Sequence, residues 1–280
     1  MKIPSLTPYV NPVRNFALYA AGKSGNTMLR DWFMTNLGAF SFREVMLSLP
    51  APHRGRFLAG MARRKKLAAR IWIKGSASNA DLRVFSDVYR ATVSQAIVNT
   101  LEFQNTYKIA VVRNPASRVV SAYLDKFCGE DWNKDWVKDV VGQVGAERGI
   151  SFNQFLDYLL EADPKTLNGH WCPQSFVFKD IEFDKVIKLE QLSEGFKDIE
   201  PIVGRRGAEV LRQRRQVQKY RDDWRGMSGD LVEAPSDLLI QTRESGGGVP
   251  PKEQFLTEVT RRKIAQIYAG DFERFSYSKP

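Results

Sequence analysis

Apolar positions follow two different periods along this chain. Asn15–Ala21 and Lys108–Val112 are short apolar runs bounded by turn formers, the pattern of buried strands. Each leads into a segment with helical spacing. The first does so through Gly22-Lys23-Ser24-Gly25-Asn26-Thr27 to Met28–Phe33. The second does so through Arg113-Asn114-Pro115, and proline suits the first turn of a helix because its missing N–H costs nothing there. Phe152–Leu159 has apolar residues at i, i+3, i+4 and i+7, an amphipathic helix. Phe183–Glu190 reads as a strand and 254–275 as a closing helix. Between them the pattern predicts a Pro-rich lead-in over 1–14, a strand at Arg70–Lys74 and a helix from about Asp81 to Thr100. It also predicts a charged helix over 208–224 and a loop at Glu244–Pro251. Alternating strands and helices predict one α/β domain over 1–280, a parallel sheet flanked by helices. Ligands of such sheets bind at the carboxyl ends of the strands, where both turn segments fall.

Composition adds limits. With 280 residues the chain can bury a full core, and 43% hydrophobic with 26% charged residues is ordinary for a globular protein. No apolar stretch approaches the roughly 20 residues of a membrane span. The N-terminus lacks a basic region followed by an apolar core, so a secretory signal is not expected and a cytoplasmic location is. Cys128 and Cys172 are too few for a disulfide framework, and with His53 and His170 they show no zinc spacing. Reduced thiols are expected.

The net charge is +10. Basic residues cluster at His53-Arg54-Gly55-Arg56, at Arg63-Arg64-Lys65-Lys66, and at Arg205, Arg206, Arg212, Arg214, Arg215 and Lys219. Such an excess attracts polyanions. Solvated helix faces account for most of these residues individually, and an electropositive cleft for an anionic substrate is the functional reading. Nucleic acid is a third reading, but no zinc-finger, RNP or KH signature accompanies the charge, so no nucleic-acid partner is expected.

The two turn segments carry the candidate chemistry. Arg113 sits at the carboxyl end of its strand, and Arg118 and Ser121 lie three apart on the helix that follows. An arginine and a hydroxyl near a helix start suit a phosphate or sulfate. An ordinary strand–helix junction with surface arginines is the bland alternative. In the earlier segment, Gly22 to Thr27 allow a tight turn whose N–H groups point at an anion, with Lys23 adding a point charge. Ala17–Ser24 also satisfies a relaxed Walker A pattern, so a kinase or NTPase using Lys23 and Ser24 is the runner-up. Its four middle residues, Leu-Tyr-Ala-Ala, are strand material, and no later strand ends in an obvious Walker B aspartate.

Arg113-Asn114-Pro115-x-x-Arg118-x-x-Ser121-x-Tyr123 resembles the 3′-phosphate motif of sulfotransferases that use 3′-phosphoadenosine 5′-phosphosulfate (PAPS). Lys23-x-Gly25-x-Thr27 is similar to their 5′-phosphosulfate loop, with Gly22 in place of the usual proline and Met28 in place of the usual serine. Four further segments resemble the carbohydrate branch of the family, the chondroitin and dermatan type with its soluble bacterial relatives. They are Ser121–Phe127, Asn168-Gly169-His170-Trp171-Cys172-Pro173-Gln174, Phe183–Glu190 and Ile267–Tyr277. Little resemblance covers 38–105 and 203–250.

The resemblance implies the three-layer fold shared with nucleotide kinases and sulfuryl transfer from PAPS to a hydroxyl of a carbohydrate or glycolipid. An acidic acceptor and peripheral membrane contact are among the options. Lys23 would stabilise the bridging oxygen, the amides of Ser24, Gly25, Asn26 and Thr27 would hold the 5′-phosphate, and Arg113 and Ser121 the 3′-phosphate. No metal is required. For the general base, His170 is the candidate within a family-like segment, but a structural imidazole packed on Trp171 and bonded to backbone is the first reading. His53 reads as a surface histidine, and an acidic residue could serve instead.

Overall fold

The computed structural model describes residues 7–38, 44–46, 49–63, 79–146, 149–211 and 229–280. In chain order the strands are β1 (Tyr9–Asn11), β2 (Phe16–Ala20), β3 (Tyr107–Val112) and β4 (Lys185–Lys188). The main helices begin with α1 (Asn26–Leu37), α2 (Ala51–Ala62), α3 (Asn79–Tyr89), α4 (Pro115–Lys126), α5 (Asp135–Val144) and α6 (Phe152–Glu161). They continue with α7 (Gln174–Val177), α8 (Leu192–Asp198), α9 (Ser236–Thr242), α10 (Glu258–Ile267) and α11 (Ala269–Arg274). Two compact units, each discontinuous in sequence, are drawn from Ser5–Val112 with Asp180–Gln216 and from Arg113–Lys179 with Val217–Pro280.

The first unit holds the sheet, in the order β1-β2-β3-β4. β2, β3 and β4 are parallel, with Ala20 opposite Val111 and Val112 opposite Lys188. These three strands are the expected parallel sheet; β1 adds an edge that runs antiparallel to β2, Tyr9 opposite Leu18, so the sheet as a whole is mixed. β1 hides in the sequence because it is three residues long and lies between Pro8 and Pro12, which confine it to an edge. Its outer backbone is not left open. Ser94 Oγ accepts the Val10 N–H at 3.1 Å and the Tyr89 hydroxyl donates to the Val10 carbonyl at 2.8 Å. Two side chains thus blunt an edge that could otherwise template another strand.

β2 is apolar throughout because both faces are covered. Phe16 meets Trp32 and Phe33 of α1 at ring distances of 6.1 and 5.9 Å, and Phe33 continues to Tyr89 at 5.8 Å. The helix expected from Asp81 runs from Asn79 to Val98, passing through a π turn at Arg90–Ser94. The strand expected at Arg70–Lys74 lies outside the described residues, as does the 208–224 helix beyond Leu211.

The second unit packs around aromatic rings. Tyr123 of α4 lies 5.8 Å from Phe127, 5.3 Å from Phe152 and 5.9 Å from Phe255, and Trp171 lies 5.5 Å from Phe155. Truncating one such buried ring costs about 3–5 kcal/mol. α6 starts at a capping box in which Ser151 and Gln154 each take the other's backbone N–H. The closing helix is split into α10 and α11 at Tyr268, whose φ of −109° leaves the helical range. The predicted loop at 244–251 begins as a π turn over Arg243–Gly247. Cys128 and Cys172 are buried free thiols. Among the described residues no helix is long and apolar enough to cross a membrane.

Candidate active site

β2 ends at Ala20, and the chain turns through five residues into α1. Two of them take left-handed backbone, Lys23 at φ 67° and Gly25 at φ 82°. Glycine adopts this region freely, whereas a side chain pays about 1–2 kcal/mol. Gly25 is constrained twice, since a Cβ there would stand 2.8 Å from Leu189 Cδ1. It is also the N-cap of α1 and offers no side-chain cap, while the first turn contains no acidic residue. A 12-residue helix therefore presents Asn26 and Thr27, both exposed, with the positive end of its dipole uncompensated by a carboxylate in that turn. Non-glycine residues in this strained conformation concentrate at ligand-binding turns.

The Walker alternative loses its footing here. Ala17 to Ala20 belong to β2, so no glycine-rich cradle precedes Gly22. Ser24 is fully buried and lies before the N-cap, not in the first turn of α1 where a magnesium-binding hydroxyl is needed.

β3 ends at Val112, and the next residue is Arg113. Asn114 caps α4, its side-chain oxygen accepting the Ser117 N–H at 3.2 Å, and Pro115 occupies the first helical position as its chemistry predicts. Arg113 and Ser121 are both half-buried. Arg118 departs from the expectation that it shares an anion-facing surface with Ser121. It is fully buried, and its Nη2 donates to the Gly169 carbonyl at 3.1 Å. Helical spacing told that the two residues are neighbours, not which of them faces the interior.

His170 differs from expectation in its packing partner. The ring stacks on Trp136 at 5.9 Å with an 8° tilt, while Trp171 lies at 6.5 Å and 43°. Its Nδ1 bonds a side chain, not backbone: Asn168 Oδ1 is 2.6 Å away. The same Oδ1 accepts the His170 main-chain N–H at 3.0 Å, which identifies that atom as the amide oxygen. Nδ1 must then be the donor, and in the neutral ring the basic lone pair lies on Nε2. His53 is half-buried, and burial followed by the Arg56 charge pushes its pKa down. Arg205 and Arg206 pair with Glu200 and Glu44, which fits the solvated-face reading of that basic cluster.

One residue escaped the sequence reading. The Gln174 side chain accepts the Arg113 N–H at 3.0 Å and donates to the Arg113 carbonyl at 2.9 Å. The family-like segment ending at Gln174 gave its position but not its partner, 61 positions earlier.

A model of the sulfotransferase family matches residues 9–278. The chain belongs to this family. Among curated proteins it is 31% identical over 135 residues to carbohydrate sulfotransferase 14 of Mus musculus, covering 43% of this chain and 36% of that protein. The Homo sapiens protein of the same name is 34% identical over 100 residues, 32% of this chain and 26% of that protein. The Danio rerio one is 27% identical over 140 residues, 43% and 37%. The matched stretches thus span well under half the length of these relatives. No solved structure matches the chain.

Proposed function

We propose that this protein is an enzyme that transfers a sulfuryl group from PAPS to a hydroxyl of a carbohydrate. The family match across nearly the whole chain carries this reading, and the names of the relatives supply the acceptor class. The turn before α1 fits an anionic donor on its own terms, with left-handed residues, a helix N-terminus and a lysine in five positions. The Ser24 N–H, expected to face the phosphate, instead donates to the Ala21 carbonyl at 3.2 Å in a fully buried residue. In this reading the amides of Gly25, Asn26 and Thr27 hold the 5′-phosphate, and Arg113 and Ser121 hold the 3′-phosphate. Lys23 neutralises charge that develops on the oxygen leaving sulfur, an interaction strongest in the transition state. The acceptor hydroxyl must lose a proton. The Nδ1–H tautomer of His170 supports Nε2 as its acceptor, and the Trp136 stack would hold the ring in orientation.

Calorimetry tests the donor. Adenosine 3′,5′-bisphosphate is expected to bind much more tightly than ADP and without magnesium. Equal affinity, or strict dependence on magnesium, would contradict the assignment.

A further inference from the structure

We propose that Gln174 and Asp271 are positioning residues that fix the main chain of Arg113 for recognition of the 3′-phosphate. The proposal rests on the donor reading above. β3 stops pairing at Val112, so Arg113 is the first residue beyond the ladder and the last but one before α4. A residue at such a junction has no strand to hold it. Gln174 supplies the missing partner, since one primary amide engages both the N–H and the C=O of Arg113. This is the pairing that a neighbouring strand would provide, made by a side chain.

The amide is itself held. Gln174 is fully buried. Its Nε2 lies 3.3 Å from Asp271 Oδ2, which also accepts the Gln174 main-chain N–H at 2.9 Å, while Oδ1 accepts the Ser175 N–H at 2.6 Å. A flipped amide would set its oxygen against the Arg113 carbonyl and the Asp271 carboxylate together, so a single orientation is tolerated. Asp271 is fully buried on α11. Neighbours on either side tighten the grip: Tyr268 donates to the Trp171 carbonyl at 2.7 Å and Arg274 to the Ser175 carbonyl at 3.1 Å. The closing helices thus hold the 171–175 segment, and that segment holds Arg113. Ordering the backbone in advance removes an entropy cost from phosphate binding.

The test compares adenosine 3′,5′-bisphosphate with adenosine 5′-phosphate by calorimetry, because their affinity ratio isolates the 3′-phosphate contacts. Hydrogen bonds to a charged group predict a wild-type ratio of about 10- to 100-fold. Gln174→Met keeps the side chain's length and removes both bonds to Arg113. The ratio should fall most of the way to that of Arg113→Ala, with the affinity for adenosine 5′-phosphate unchanged. In the double variant the two losses should not add. Asp271→Asn is a milder second variant that keeps the shape and should lower the same ratio partially. A folded Gln174→Met or Asp271→Asn protein that retains the full ratio overturns the proposal. So does an equal loss for both ligands, which a purely structural role would produce. A wild-type protein without preference for the bisphosphate overturns the donor reading itself, and the clamp with it.

Discussion

Lys23 sits in left-handed backbone at φ 67°, and this allows its chemical and conformational roles to be separated. Lys23→Ala and Lys23→Gly both delete the ammonium. They differ in backbone preference alone. At an ordinary position alanine is the more stable choice by about 0.4–1 kcal/mol, because glycine leaves the unfolded chain more freedom. In the left-handed region a Cβ costs about 1–2 kcal/mol, and that penalty falls only on alanine. At the midpoints of the two ranges the difference favours glycine by about 0.8 kcal/mol. For a protein of this size that is a rise in Tm of about 2–3 °C for Lys23→Gly over Lys23→Ala. Both variants should lose turnover by about 100- to 1,000-fold, the loss typical of removing one transition-state donor, while still binding the bisphosphate product. Scanning calorimetry and initial rates with saturating PAPS decide the matter. An alanine variant more stable than the glycine variant would refute the backbone argument. A near-normal kcat with only a raised KM would make Lys23 a binding charge.

Gly25→Ala should weaken bisphosphate binding and lower Tm. Leu189→Ala in the same chain should restore only part of the loss, because it relieves the 2.8 Å approach and not the φ of 82°. Burial pushes the thiols of Cys128 and Cys172 up to about 12, so an aromatic disulfide reagent at mildly alkaline pH should titrate neither in the native protein and both in denaturant. The Asp131 carboxyl is held below the usual carboxylate range, chiefly by its hydrogen bond from Lys126. Its folded value is lower than its unfolded one, so its contribution to stability is complete above about pH 4 and is lost as the pH falls through the depressed value. Asp131→Asn should flatten that acid-side slope in denaturant titrations.

The legible parts of this molecule are those in which neighbouring residues decide the structure. β2 with α1 and β3 with α4 are read from apolar runs that meet turn formers, and Pro115 marks the first residue of α4. β1 is not read, because three residues between prolines carry too little pattern and its pairing is set by β2. The candidate site is proposed from residue types that stand in the sequence, whereas its supports do not show there. Arg118 and Ser121 look equivalent along a helix, yet only packing decides that Arg118 turns inward to Gly169. The stack of His170 on Trp136 joins residues on different elements, and the bond of Gln174 to Asp271 spans 97 positions. No local periodicity reports such contacts. The family-like segments carry these residues, but only the fold shows what each one holds.

The proposed sulfuryl transfer to carbohydrate is tested by transfer of radiolabelled sulfate from PAPS by the full chain to a panel of glycosaminoglycans, oligosaccharides, glycolipids and small phenols, with the Lys23→Ala protein as control. Label should enter at least one carbohydrate acceptor, at a rate that Lys23→Ala lowers about 100-fold or more. Label confined to phenols, or no transfer to any carbohydrate by a protein that binds adenosine 3′,5′-bisphosphate tightly, would contradict it.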